Sequence, residues 1–160
     1  MQRGAHLRRY GLTTMLLRIP QQLMITMVLV SLVAAQQPYQ PRFSGDPAHS
    51  DAEAAALGYM RTAVYAQKQY QKKHQKFAPS LASLAGSGSF TRRMINPERG
   101  DYTVGFRARK NGIGYELSMT PRVFDAAHRA FWVNENGIIR AEADKPATAD
   151  SPVLRPDQSP

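Results

Sequence analysis

Cysteine is absent from the 160 residues. Disulfide frameworks, thiolate zinc sites and cysteine nucleophiles are therefore excluded, and whatever folds must hold by its core alone. A long apolar run is missing too. The uncharged stretch from Leu23 to Ala35, free of Gly and Pro, has 13 residues, whereas a membrane span needs roughly 20 and the apolar region of a signal peptide about 10 to 14. The leader before it has no acid and carries Arg3, Arg8, Arg9 and Arg18. That polarity is the polarity of an export signal, and Val33-Ala34-Ala35 places small residues ahead of a cut before Gln36. The segment is either removed there or retained as a membrane anchor through residues 19–35.

With the leader set aside the charge balance changes. The chain has 21 basic and 12 acidic side chains; four of the basic ones precede Ala35 and none of the acids does, so the remainder is +5 rather than +9. Such a domain is soluble and mildly basic, below the charge density that makes nucleic acid the leading partner. Its roughly 125 residues suffice for one core.

Beyond residue 35 the organisation is legible. Residues 36–49, with three prolines, read as a linker. Ser50-Asp51-Ala52-Glu53 reads as a capping box. Ala56, Tyr59, Ala63, Ala66, Tyr70 and Phe77 recur at helical spacing from there, with Arg61, Lys68, Lys72, Lys73 and Lys76 mostly at other positions, so an amphipathic helix runs to about Gln75. The lysines at its end complement the helix dipole or form a phosphate-binding patch, the former being the plainer reading. "FAPSLASLAG" gives a short turn or helix ending at Gly86.

The period then shortens to two. In "DYTVGFRARKNGIGYELSMTP" the pair Asn111-Gly112 predicts a two-residue type I′ turn. The register joins Lys110 to Ile113, Ala108 to Tyr115, Phe106 to Leu117 and Val104 to Met119, with Arg107 and Glu116 as a cross-strand ion pair on the opposite face. In "AFWVNENGIIRAEAD" a three-residue loop, Glu135 to Gly137, puts Phe131, Val133, Ile139, Ala141 and Ala143 on one side and Trp132, Asn134, Ile138, Arg140 and Glu142 on the other; a two-residue loop would instead bury Trp132 with Ile139. The fold class is α+β, one long amino-terminal amphipathic helix packed on a four-stranded antiparallel sheet. The tail is an ordered edge segment at first and disordered over 155–160.

Four phrases now carry a resemblance. "AEAAALGYMRT", "FAPSLASLAG", "FWVNENGIIR" and "TADSPVL", in that order over residues 50–154, resemble a bacterial pilin-like family, and the whole plan resembles type IV pilins and the pseudopilins of type II secretion. The resemblance implies a pilin-like globular domain at 50–154, protein partners in a pilus or secretion assembly, and a place outside the cytoplasm, periplasmic or anchored in the inner membrane. "IPQQLMITMVLVSLVAA" is similar to the segment after a prepilin cleavage site, but Leu17 stands where the family has Gly and Gln22 where it has Glu. Processing by the prepilin peptidase is accordingly not expected, and the amino terminus should lie near Gln36 or the leader should be intact.

Chemistry is sparse. His49, Asp51 and Glu53 are the nearest approach to a metal cluster, yet acids in a first helical turn are explained by the dipole, so no metal, cofactor or catalytic residue is assigned. "GSGS" at 86–89 is too short for a phosphate loop and lacks the following Lys and Ser/Thr, and no G-x-S-x-G or H-E-x-x-H occurs. A non-enzymatic structural or assembly protein is the leading expectation. The alternative is an exported or anchored module of the same fold that binds DNA or another acidic polymer through Arg92, Arg93, Arg99, Arg107, Arg109 and Lys110; nucleic acid is the less favoured partner, since a solvated sheet face accounts for those arginines.

Overall fold

A computed structural model describes residues 39–156. The expectations for cleavage at Gln36, for Leu17 and Gln22, and for the last four residues of the tail lie outside the described residues. Among the described residues no helix is long and apolar enough to cross a membrane.

Helix α1 spans Asp51–His74. Ser50 caps it in extended conformation, its Oγ accepting the Glu53 amide at 3.1 Å, so half of the capping box forms as expected. The other half differs. Glu53 is fully buried, and its carboxylate accepts the His49 amide at 2.8 Å and turns to Arg129 in place of the Ser50 amide. Ala56, Tyr59, Ala63 and Ala66 are buried as the spacing predicts, joined by Leu57 and Met60; full burial of Leu or Met contributes about 1.5–3 kcal/mol each. The helix ends where Gln75 enters the left-handed region at φ 54. Past that turn the buried Gln67 side chain accepts the Ala78 amide at 2.9 Å, which satisfies polar groups in the core and sends Phe77 and Ala78 back under the helix. A short helix, α2 (Leu81–Leu84), capped by Ser80, follows.

The sheet has five strands, one more than the sequence suggests: β1 (Glu98–Arg99), β2 (Tyr102–Ala108), β3 (Tyr115–Pro121), β4 (Ala130–Asn134) and β5 (Arg140–Glu142), antiparallel and in sequence order. β1 escapes notice because two residues after Pro97 show no alternation. The predicted β2–β3 register holds at Val104–Met119, Phe106–Leu117 and Ala108–Tyr115. Its turn does not. The Arg109 amide still reaches the Gly114 carbonyl, but Lys110 to Ile113 form a four-residue loop instead of a two-residue turn closed by a Lys110–Ile113 pair. Asn111 and Gly112 both have positive φ, and the Phe77 amide donates to the Gly112 carbonyl at 2.9 Å. Docking of the chain after α1 onto this loop accounts for the change.

The β4–β5 register is as predicted, with Gly137 at φ 76 and the pairs Ala130–Glu142, Phe131–Ala141 and Trp132–Arg140, but pairing stops there and the five residues Glu135 to Ile139 separate the strands in place of a three-residue loop. Val104, Tyr115, Leu117, Met119, Phe131 and Val133 form the face under α1. The outer face is not wholly wet: Ala130, Trp132 and Ala147 make a small second cluster beside Phe124. Beyond β5 the chain returns as an edge segment, Ala141 donating to the Pro152 carbonyl and Leu154 to that of Ile139.

Part of the segment read as a linker is packed. The compact unit begins at Tyr39, and Asp46, 2% exposed, ties the segment before α1 to itself. Its carboxylate accepts Tyr39 Oη at 2.6 Å and the amides of Arg42 and Ala48. Burial works to raise the Asp46 carboxyl, and these three hydrogen bonds outweigh it, holding the group below the usual carboxylate range. Burial and the same bond push the Tyr39 hydroxyl up to about 12.

Candidate functional site

The six basic residues singled out from the sequence are distributed by the fold. Arg92 and Arg93 are exposed in a short 3-10 turn, Arg92–Ile95. Arg99 in β1 lays its guanidinium over the Tyr59 ring, 4.8 Å from the centroid, an arrangement that suits a cation against a π face; burial pushes the Tyr59 hydroxyl up to about 12. Arg107 lies on the outer face of β2, while Arg109 and Lys110 follow its end. Arg99 pairs with Tyr102 at the start of β2, and six residue steps of strand put ~20 Å between its two ends. Only Arg107, Arg109 and Lys110 are neighbours along the chain at one end of the sheet.

At that end the ion pair expected for Arg107 belongs to Arg109. Arg107 and Glu116 are opposite each other in the register, but the Arg109 guanidinium reaches Glu116 at 3.6 Å and Glu135 at 3.0 Å. Residues two apart share a strand face, and the β4–β5 loop brings the second carboxylate, so Arg109 has two acids where Arg107 has one. Gly114 makes room for it: a Cβ there would lie 2.7 Å from Glu135 Oε2. That oxygen is buried without a hydrogen-bond partner among the described residues. Burial first, then the Glu135 charge, push the Tyr115 hydroxyl up.

A second polar cluster closes the amino end of α1. Arg129 donates from Nε to Glu53 Oε1 at 3.0 Å and from Nη2 to Oε2 at 2.7 Å, and its backbone amide adds a third bond. Its carbonyl accepts Tyr102 Oη, while Ser50 Oγ donates to the Ala127 carbonyl at 2.6 Å. A bidentate pair whose remaining lone pairs are filled is the form in which a buried ion pair is tolerated. Sequence reasoning missed Arg129. A signal was present: Glu53 falls on the buried stripe, three and four residues before Ala56 and Leu57, where a lone carboxylate needs a partner.

The remaining ionisable groups diverge. His49 Nδ1 faces the Ala126 carbonyl and Asp51 pairs with Arg42, so the two leave Glu53 to Arg129. His128 lies 2.8 Å from Asp125, whose carboxyl is held below its usual range by that bond and the Ala127 amide. Among the described residues no three His, Asp or Glu side chains converge as metal ligands. A cleft of ≈ 790 Å³ runs between Pro47, His49 and Arg129 on one side and Val153 to Pro156 on the other. Arg129 is already engaged there with Glu53, and the Glu142 carboxylate accepts Ser151 Oγ at 2.9 Å.

No family model and no curated protein sequence matches the chain. Among solved structures it is similar to a type IV pilin from Shewanella oneidensis, at 15% identity and a TM-score of 0.38, over 52% of this chain and 81% of that one. The likeness is loose, and the architecture above rests on this chain's own residues.

Proposed function

We propose that the chain is a non-enzymatic, pilin-like structural subunit of the bacterial cell envelope, exported or anchored by its first 35 residues and working through protein contacts in a pilus or secretion assembly. One observation carries the reading: a single 24-residue helix packed by one stripe on an antiparallel meander, α1 on β1 to β5, in a chain that opens with a basic leader and an apolar segment. The polar groups support it, since the buried pair Glu53–Arg129 and the Arg109 cluster hold elements of the fold together. The alternative, an exported module that binds DNA or another acidic polymer, calls for a continuous basic surface through Arg92 to Lys110.

In-cell cross-linking tests the proposal. A photoreactive residue placed at Tyr65 or Ile138, which are 54% and 49% exposed, is illuminated in intact cells of the native host. Covalent products with a second copy or with another pilus or secretion subunit are expected. Products formed only with cytoplasmic proteins, or none at both positions, would contradict it.

A further inference from the structure

Between Glu53 and Glu98 the sequence contains no acidic residue, yet it holds Arg61, Lys68, Lys72, Lys73, Lys76, Arg92 and Arg93. Elsewhere four arginines find carboxylates: Arg42 pairs with Asp51, Arg109 with Glu116 and Glu135, Arg122 with Glu98 and Arg129 with Glu53. Among the described residues none of the seven forms an ion pair. Segregated cations repel one another, and an anion relieves that repulsion.

The fold brings two of these lysines to the "GSGS" loop. A cleft of ≈ 420 Å³ is lined by Gln69, Tyr70, Lys72 and Lys73 on α1 and by Gly86 to Gly88 on the loop. We propose that Lys72 and Lys73, together with the amides of Gly88 and Ser89, form a binding site for a phosphate group. Gly86 and Gly88 both have positive φ, at 89 and 57. The Gly86 and Ser87 amides are used within the loop, donating to the carbonyls of Phe90 and Leu84. The next two amides donate to no atom among the described residues. Successive amides around a left-handed residue make an anion-binding concavity.

A Cβ on Gly88 would stand 3.0 Å from the Tyr65 ring and 3.9 Å from the Gln69 side chain, so the loop rests against α1 in the two turns before the lysines. The carboxyl end of a helix carries roughly half a negative charge, which opposes an anion there; two full ammonium charges exceed it. Ammonium groups and amides are donors without acceptor capacity, which matches a phosphate monoester or diester oxygen set. Free phosphate compounds and anionic lipid headgroups share that chemistry.

Two titrations of the full chain decide the matter. In one, inorganic pyrophosphate is added while amide resonances are followed. In the other, the chain is sedimented with phosphatidylcholine vesicles with and without phosphatidylglycerol. The expected result is a shift of the Gly88 and Ser89 amides and a loss of pyrophosphate affinity of about tenfold or more in the double variant Lys72→Gln, Lys73→Gln, with Lys145→Gln unchanged. If the double variant also loses part of the excess binding to phosphatidylglycerol, the headgroup is the source; if it loses pyrophosphate binding alone, a free phosphate compound is. The absence of a shift at Gly88 and Ser89, or equal pyrophosphate binding by the wild type and the double variant, would overturn the proposal.

Discussion

At the scale of single residues, two positions show how backbone and charge are held. Gly112 combines φ 69 with a close approach, since a Cβ would meet Lys76 Cβ at 2.8 Å and the Phe77 carbonyl at 3.2 Å. The Asn-Gly pair was legible as a turn; that the turn is also a docking point for the chain leaving α1 was not, because no local pattern encodes a contact made 35 residues away. Gly112→Val is expected to cost on the order of 1–3 kcal/mol, read as a lower melting temperature, and an unchanged value would contradict the positive φ. Asp46 has its folded-state pKa depressed by three hydrogen bonds that outweigh its burial. A depressed carboxylate adds stability above its unfolded value, near 3.9, and that stability is lost as pH falls through the lower folded value. Asp46→Asn should therefore cost about 1–3 kcal/mol at neutral pH, with the gap to the wild type closing as the solution is taken below pH ~4. Chemical denaturation at pH 7 and pH 3 checks it; a gap that does not narrow counts against the account.

Among elements, legibility followed the strength of the periodic signal. β2 and β3 alternate over seven residues each, so one register satisfied every apolar pair, and α1 announced itself through Ser50 and a stripe from Ala56 to Ala66. β1 has two residues and no alternation to read. The ion pair was misassigned between Arg107 and Arg109 because the register fixes which residues are opposite, while Glu135 enters from a loop whose approach depends on Gly114. The joint between α1 and the β3–β4 connection rests on Glu53 and Arg129, whose side chains are 0% and 16% exposed. Removing one partner of such a pair leaves an uncompensated buried charge, so Glu53→Gln is expected to destabilise by about 3–5 kcal/mol. Glu53→Gln combined with Arg129→Met should cost less than the sum of the two single changes. Additive losses in equilibrium unfolding would mean that the pair does not act as a unit.

For the whole molecule, composition and period gave the architecture, one helix over an antiparallel sheet, and left the functional surface largely unread. The six basic residues proposed from sequence are spread over a 3-10 turn, β1, β2 and the loop after it, whereas the stretch without acids, from Ala54 to Pro97, runs through α1 and the loops that follow it. Sequence spacing could not say that Lys72 and Lys73 meet Gly86 to Gly88, because that meeting depends on where Gln75 ends the helix and how the chain turns back. The central claim is that this domain serves an envelope assembly through protein contacts. Fractionation of native host cells, with the protein followed by native gel electrophoresis after mild detergent extraction, tests it most directly: the account predicts an envelope-bound complex well above the mass of one chain, and a monomer confined to the cytoplasmic fraction would contradict it.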